Sequence, residues 1–200
     1  MVTSLQRSEK LSFLKRLNSV PWLKISAGKV FEALVHQRLE QGGTFSFGKP
    51  LEPGDSIPAG STFRIRAGEE FRSLGELNGS LHSKYSRMMF PGRKDIYFKP
   101  IAPNLASIDS FLVSRQHGMP ILIQITIADT HEIKTQGIND VWDAIPADSK
   151  RDGRLLFVAS ERSRLNSVQR HTGAVRKGPW KSCLKQRILY ITDKDLCQGG

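Results

Sequence analysis

The sequence predicts an α/β fold in which helices flank a mixed β-sheet, on three observations. Residues 120–127, PILIQITI, alternate with the period of a β-strand. Residues 153–160, GRLLFVAS, form the short apolar run that is typical of a buried strand. Between them, residues 131–145 repeat apolar side chains at helical spacing. Strands that alternate with helices in this way indicate a mixed sheet flanked by helices.

Two helices are expected at the start of the chain. Residues 3–18 carry leucines at loosely helical spacing, and Pro21 disfavours helix in the residue before it. The second helix, SAGKVFEALVHQRLEQGG, has a candidate N-cap at Ser26 and is expected to end at the Gly42–Gly43 pair. Its apolar positions are Val30, Phe31, Leu34, Val35 and Leu39.

The middle of the chain predicts strands separated by loops. Residues 44–75 are rich in Gly, Pro and Ser and contain one strand candidate, STFRIRAG. Residues 77–94 contain no acid and four Lys or Arg, which indicates a mobile basic loop or a short helix. The segments DIYFKP and SIDSFLV are expected to be strands, and QRILYITD the last strand.

The strand at residues 120–127 has one apolar and one mixed face. Its four isoleucines point to the same side: Ile121, Ile123, Ile125 and Ile127. The opposite side carries Leu122, Gln124 and Thr126, and the chain then reaches His131 and Lys134. Such a strand is either a surface strand with a solvated outer face or one wall of a functional cleft. We favour the cleft.

Length and composition indicate a globular protein. A chain of 200 residues with 38% hydrophobic and 24% charged residues is typical of one domain with extensions. We expect residues 1–22 to be an N-terminal helical extension and residues 23–200 to be one domain with a basic C-terminal segment. Cys183 and Cys197 lack metal-ligand spacing, which favours folding in a reducing compartment. No apolar run reaches the roughly 18 residues of a transmembrane helix.

The charge of the chain favours a polyanionic partner. Lys and Arg number 30 against 19 Asp and Glu, a net charge of +11. Such a field suits nucleic acid or an acidic membrane surface, and we favour nucleic acid. No acid lies between Glu161 and Asp193, whereas eight Lys or Arg do, with His171 and Trp180 among them. A solvated loop is the alternative interpretation. The candidate nucleic-acid contacts are Lys84, Arg87, Arg93, Arg164, Arg170, Arg176, Lys177 and Lys181.

A candidate catalytic set follows from the chemistry of phosphodiester hydrolysis. Mg²⁺ prefers oxygen ligands, and a nearby ammonium can orient the attacking water or neutralise developing charge. Glu32 on the second helix, Asp109 in SIDSFLV and Gln124 on the isoleucine strand could supply the oxygens. His131 and Lys134 follow that strand.

The order of these residues resembles the PD-(D/E)XK nuclease fold, in which a helix with Glu precedes a strand with Asp, a strand with Glu-x-Lys and a further helix. More narrowly, GKVFEALVHQRL, NLASID and QITIADTHEIK together resemble the nuclease-like C-terminal domain of crinkler effectors and related fungal and oomycete proteins. The resemblance covers roughly residues 25–160 and rests on the joint order of the three segments. It implies a restriction-endonuclease-like core within a nuclease-like domain at residues 23–200.

The resemblance also implies an activity, Mg²⁺- or Mn²⁺-dependent hydrolysis of DNA with little sequence specificity. By this resemblance Glu32, Asp109 and Gln124 occupy the metal-site positions. The family's Glu-x-Lys is Gln124-Ile125-Thr126 here, so an amide replaces a carboxylate and a hydroxyl replaces an ammonium. Lys134, helped by His131, would return the lost charge from the start of the next helix. The alternative is a nuclease-derived module that has lost its chemistry and binds nucleic acid or a host protein.

Each candidate residue also has a structural interpretation. Glu32 and Lys134 are compatible with solvated helix positions, His131 with a helix start, and Gln124 with a hydrogen bond to a neighbouring loop. Asp109 lies within an apolar segment, where an unpaired carboxylate is costly, and this favours a functional role. We expect Asp109 and Gln124 on adjacent strands with side chains on the same face, and Glu32 on a flanking helix.

Localisation is predicted from the resemblance alone. It implies a secreted effector that acts inside a host cell, for example in the nucleus of that cell. The first residues, MVTSLQRSEKLSFLKRLNSVPW, are interrupted by charge too often for a signal-peptide core. We therefore expect any secretion signal to lie outside this chain.

Overall fold

The computed structural model describes residues 7–66, 68–71, 95, 97–100, 107–114, 116–145, 150, 152–172 and 180–197. The helices within these ranges are α1 (Arg7–Asn18), α2 (Lys24–Glu40), α3 (Thr135–Ala144), α4 (Trp180–Cys183) and α5 (Asp193–Cys197), with a 3₁₀ turn at Pro21–Leu23. The strands of the first half are β1 (Gly43–Ser46), β2 (Lys49–Pro50), β3 (Thr62–Ile65), β4 (Gly68–Phe71) and β5 (Tyr97–Pro100). Those of the second half are β6 (Ser110–Val113), β7 (Pro120–Thr126), β8 (Ile133–Lys134), β9 (Gly153–Ser160), β10 (His171–Thr172) and β11 (Leu184–Ile191).

Seven strands form one mixed sheet in the order β2-β11-β9-β7-β6-β5-β4. Strands β7, β9 and β11 are parallel neighbours, whereas β6 pairs antiparallel with β7. Two small pairs lie outside this sheet, antiparallel β1 with β3 and parallel β8 with β10. The predicted mixed α/β sheet flanked by helices is thereby confirmed.

The central strand β7 is buried on both faces. Ile121, Ile123 and Ile125 belong to one apolar cluster with Phe31 and other residues of α2. Leu122 belongs to a second cluster with residues of α3 and β9. Each isoleucine contributes about 1.5–3 kcal/mol by its burial. Helices α2 and α3 therefore cover opposite sides of the sheet.

The interpretation of β7 as a surface strand with a solvated outer face is wrong. Gln124 is 5% exposed and Thr126 is 8% exposed, so neither polar side chain faces bulk water. The reason lies in the sheet order, because β7 sits between β6 and β9 and both of its faces are covered. Buried polar groups need hydrogen-bond partners, so Gln124 depends on the side chains that surround it.

The helix boundaries differ from the predicted ones at two starts. Ser26 is not an N-cap, because α2 continues directly from the 3₁₀ turn that Pro21 opens and begins at Lys24. Helix α3 begins at Thr135, so His131 and Lys134 precede it, and Lys134 lies in the short strand β8. The predicted basic loop at residues 77–94 lies outside the described residues.

A buried ion cluster attaches the loop after β1 to the sheet. Asp55 accepts hydrogen bonds from Arg154 of β9 and Arg187 of β11, at 2.8 Å and 2.7 Å, and both arginines are fully buried. Arg187 also donates to the carbonyl oxygens of Phe47 and Gly48, at 3.0 Å and 2.8 Å. The loop is thus held by charge-assisted hydrogen bonds.

The backbone at Gly48 approaches the sheet too closely for any side chain. Its φ is 64°, and a Cβ atom there would lie 1.9 Å from the carbonyl oxygen of Ile188. Only glycine fits both the left-handed conformation and this contact.

Within the described residues, no helix is both long and apolar enough to cross a membrane.

Candidate active site

Asp109 and Gln124 are in direct contact at the start of β6. Ser110 pairs with Ile123 in the antiparallel β6–β7 ladder, so the next residues outward, Asp109 and Gln124, face each other. The carboxylate oxygen Oδ2 of Asp109 accepts a hydrogen bond from Gln124 Nε2 at 2.8 Å. The same oxygen accepts the backbone N–H of Ile125 at 2.5 Å. The Asp109 carboxylate therefore extends the hydrogen bonding between β6 and β7 by one residue before β6 begins.

Helix α2 supplies an acid and a base to the same region. Lys29 Nζ lies 2.8 Å from Glu32 Oε2, an ion pair between residues one helical turn apart. Both groups act electrostatically on Asp109: Glu32 raises the pKa of that carboxyl and Lys29 lowers it. Asp109 in turn raises the pKa of Lys29, after the larger effect of the hydrogen bond to Glu32. A carboxyl, a carboxylate and an ammonium thus share one electrostatic environment.

Burial makes Asp109 an unusual carboxyl group. Burial is the largest effect and raises its pKa, the hydrogen bond from Ile125 lowers it, and Glu32 raises it again. The result is a pKa of about 7. At neutral pH this carboxyl therefore exchanges readily between its acid and its ionised form, which is a property of catalytic carboxyl groups.

Gln124 has an unsatisfied oxygen. Its Oε1 atom is buried and accepts no hydrogen bond from the described residues. A buried acceptor without a partner costs about 1–3 kcal/mol. Its amide nitrogen is held by Asp109, so the amide cannot turn freely toward another donor. An oxygen kept in this state is available to a ligand, either a hydrogen-bond donor or a cation.

A neutral pair lies beside this group. His36 Nδ1 and the Tyr97 hydroxyl are 2.6 Å apart. Burial, followed by the charges of Lys99 and Lys29, lowers the pKa of His36 to about 3. Burial raises the pKa of Tyr97 well above its ordinary value; the nearby hydroxyl of Ser110 lowers it, and Glu40, Asp109 and Glu32 raise it further. Both rings are therefore uncharged at neutral pH.

The two residues predicted downstream of β7 make no described side-chain contact with Asp109, although both lie close to its neighbours. Lys134 is exposed, and its backbone N–H donates to Ser107 Oγ at 2.7 Å. Among the described contacts, none joins its side chain to Asp109 or Glu32. His131 packs its ring 6.3 Å from that of Phe157, and burial lowers its pKa more than the charge of Glu132 raises it. The ammonium that acts on Asp109 belongs to Lys29.

Sequence reasoning passed over Lys29. It lies in the quoted segment GKVFEALVHQRL, three residues before Glu32. Residues three apart share a helix face, so the pair could have been identified from spacing alone. The order of residues along the chain indicates Lys134, because that residue follows the strand.

The donor set here is all oxygen. Asp109 and Glu32 offer carboxylates and Gln124 offers an unpartnered amide oxygen, which are ligand types that Mg²⁺ and Mn²⁺ accept. A cation would offset the repulsion by which Glu32 raises the pKa of Asp109. Within the described ranges, no three His, Cys, Asp or Glu side chains form a metal-binding group.

The basic candidates are only partly described. Arg164 and Arg170 are exposed in the loop after β9, where the backbone N–H of Arg164 donates to Asp129 Oδ1 at 2.7 Å. Lys181 lies in α4, but its side chain is outside the described part. Also outside it are Lys84, Arg87, Arg93, Arg176 and Lys177. Arg187, counted in the acid-free stretch, is buried on Asp55 and cannot contact a phosphate.

In comparisons with known proteins, the chain matches no protein-family model, no curated protein and no solved structure. The fold class and the group around Asp109 are therefore the observations from which a function can be inferred.

Proposed function

We propose that this chain is a nuclease-type domain that hydrolyses phosphodiester bonds in DNA with little sequence preference and uses Mg²⁺ or Mn²⁺. One observation carries the proposal: Asp109, with a pKa of about 7, contacts Gln124 of β7 and is influenced by Glu32 and Lys29 of α2. The mixed sheet between α2 and α3 supports a restriction-endonuclease-like core. In this proposal the domain is an effector of the crinkler type that acts in a host cell.

The chain's own side chains have distinct roles in this proposal. Asp109 and the Oε1 atom of Gln124 would hold the metal, and Glu32 would add its carboxylate from the α2 side of the sheet. When bound, the metal would polarise the phosphate and acidify a water molecule. Lys29 neutralises negative charge beside the carboxylates and is placed to do the same for a phosphate. Gln124 and the Ile125 N–H hold the Asp109 carboxylate in one orientation.

A plasmid-cleavage assay tests the proposal. Wild type is expected to cleave with Mg²⁺ or Mn²⁺ and to stop when EDTA is added. Asp109→Asn keeps the shape of the side chain but removes its charge, so cleavage should fall by a factor on the order of 10² or more. The matched control is Asp143→Asn, which alters an exposed carboxylate on α3 and should cleave like wild type. Equal cleavage by Asp109→Asn and wild type would contradict the proposal.

A second function is favoured by the strand itself. Gln124 and Thr126 stand where the resembled family has Glu and Lys, and the Thr126 hydroxyl accepts the N–H of Ala128 at 3.0 Å. The domain would then be a nuclease-derived module that binds nucleic acid or a host protein without cleaving. If wild type is inert with every divalent metal while Gln124→Glu plus Thr126→Lys cleaves, the active site is retired, as this second function requires.

A further inference from the structure

A cleft lies where the parallel strands β7 and β9 end. Its volume is about 330 Å³, and its walls include Ile127, which follows β7, and Ser160, the last residue of β9. Ligands of open α/β sheets bind beyond the carboxyl ends of parallel strands, because loops diverge there and leave a crevice. The candidate active site does not include any residue of this cleft.

The cleft is lined by more positive than negative charge. Lys15 of α1, Lys24 of α2 and Arg162 after β9 supply three cations, whereas Asp129 supplies one carboxylate. Asp129 already accepts the backbone N–H of Arg164 at 2.7 Å. The hydroxyl-bearing residues Ser19, Ser160 and Ser163 complete the polar wall. Cations and hydroxyl groups around a concave surface suit a phosphate group.

One internal contact indicates that this spacing of cations accepts an anion. Asp193 of α5 lies 2.9 Å from Lys15 and 3.6 Å from Arg162, so a single carboxylate bridges two cations from separate elements. All three side chains are at least one-third exposed, and exposed ion pairs of this kind contribute little to stability. A phosphate can therefore compete with Asp193 for the same two cations.

A large aromatic side chain is exposed in the segment that joins two residues of the cleft. Trp22 is 82% exposed and lies in the short segment between Ser19 and Lys24, both of which line the cleft. Ile25 beside it is 85% exposed. The other two tryptophans, Trp142 and Trp180, are each 2% exposed. Proteins that bind single-stranded nucleic acid combine a cationic groove, which holds the phosphates, with an aromatic ring on which a base stacks.

We propose that this cleft binds single-stranded nucleic acid, with a phosphate between Lys15, Lys24 and Arg162 and a base stacked on Trp22. Single strands are preferred to duplexes because a base inside a duplex is already stacked on its neighbours and cannot cover Trp22. A membrane surface fits less well, since the apolar leucines of α1 are buried against the core and the cleft is concave. The proposal deepens the proposed function by naming a surface that holds the nucleic acid. Binding at this surface needs neither Asp109 nor a metal.

Intrinsic fluorescence tests the proposal, because Trp22 is the exposed one of three tryptophans. The full chain is titrated in EDTA with a single-stranded oligothymidylate and with a duplex of equal length. The single strand is expected to quench Trp22 emission and to protect it from acrylamide, and to bind roughly tenfold more tightly than the duplex. Trp22→Phe should remove the fluorescence change and keep most of the affinity.

Two further variants separate stacking from charge, with a labelled oligonucleotide as the probe. Trp22→Ala should weaken binding by about tenfold or more, the value expected for loss of one stacked base. Lys24→Glu should weaken it by a similar factor, and a glutamate in the first turn of α2 is compatible with folding. The control Arg64→Glu reverses an exposed charge on β3, outside the cleft, and should bind more tightly than Lys24→Glu.

Three results would overturn the proposal. The first is wild-type affinity in both Trp22→Ala and Lys24→Glu, and the second is equal or tighter binding of the duplex. The third is Trp22-dependent binding to anionic phospholipid vesicles without any Trp22-dependent binding to the oligonucleotide. Failure of metal-dependent cleavage with intact Trp22 quenching would overturn only the nuclease activity, so the two proposals are tested separately.

Discussion

Among single residues, Asp109 shows how surroundings determine the chemistry of a side chain. Its pKa is raised by burial, lowered by the N–H of Ile125, raised by Glu32 and lowered by Lys29. Burial is the largest of these effects, and the resulting pKa is about 7. An aspartate in water has a pKa of about 4 and offers no proton at neutral pH. The consequence is a carboxyl group that responds strongly to any charge placed near it.

Lys29 is expected to matter more for cleavage than Lys134. The Lys29 ammonium pairs with Glu32 and lowers the pKa of Asp109. Lys29→Ala removes it, so the positive charge near a bound phosphate decreases, the pKa of Asp109 rises and its ionised fraction falls. Cleavage by this variant should fall by a factor on the order of 10². Lys134→Ala serves as the matched control and should retain most activity. A larger loss in Lys134→Ala would return the role to the residue that the sequence suggested.

Among elements, the loop between β1 and β3 depends on the sheet for its structure. It carries β2 and Asp55, and the carboxylate of Asp55 joins it to β9 and β11 through Arg154 and Arg187. Burial alone raises the pKa of Asp55, but the N–H of Ile57 and the two guanidinium groups outweigh it and hold the pKa below its ordinary value. The ionised form is therefore favoured in the folded state.

Asp55→Asn is expected to destabilise the fold strongly. It leaves two fully buried guanidinium groups without their shared counter-charge, and breaking a buried pair in this way costs about 3–5 kcal/mol. Asp152→Asn is the matched control, since Asp152 pairs with the same Arg154 but its side chain is 46% exposed, and the cost should be at most about 1 kcal/mol. Urea unfolding at neutral pH measures both values. Equal losses in the two variants would show that Asp55 has no special role.

For the whole molecule, charge has two uses that composition alone cannot distinguish. The net charge of +11 suits a polyanionic partner. Yet Arg154 and Arg187 are fully buried and serve the fold, whereas Lys15, Lys24 and Arg162 line a cleft. Buried titratable groups also matter for the whole molecule, because the lowered pKa of His36 and the raised pKa of Asp109 each make stability depend on pH.

The pH dependence of stability should change when Asp109 is replaced. Between about pH 3.8 and 7, Asp109 is protonated in the folded protein but ionised in the unfolded chain. Because the folded state then binds more protons, this residue makes stability fall as pH rises. His36, with a folded pKa of about 3 against 6.5, acts in the opposite direction. The two effects nearly cancel in wild type between about pH 4.5 and 6.

Asp109→Asn removes one of these effects and leaves His36. The stability of this variant should therefore rise, relative to wild type, by about 1.4 kcal/mol per pH unit between about pH 4.5 and 6. Urea unfolding at several pH values measures the difference, with Asp143→Asn as the exposed control. Parallel stability curves for wild type and Asp109→Asn would show that Asp109 titrates normally.

Periodicity was sufficient for the main elements. The alternating isoleucines of β7 and the apolar runs of β9 and α2 specify their own secondary structure, because burying one face requires that period. Short strands such as β2 and β8 have two residues each and carry no period, so they exist only through their partners. The same is true of Ser26, which is suited to capping but lies inside α2 because the preceding 3₁₀ turn runs directly into the helix.

For the candidate site too, some features were predictable from sequence and others depend on tertiary packing. Residue types together with the family resemblance predicted Glu32, Asp109 and Gln124, and for Asp109 the prediction also rests on the cost of an unpaired carboxylate in an apolar segment. That Asp109 bonds Gln124, that Lys29 acts on the pKa of Asp109, and that Arg187 is buried on Asp55 follow from packing. These facts depend on distances between residues far apart in the chain. Local sequence encodes which surfaces must be buried, whereas the meeting of particular charges is settled only when the helices and strands pack together.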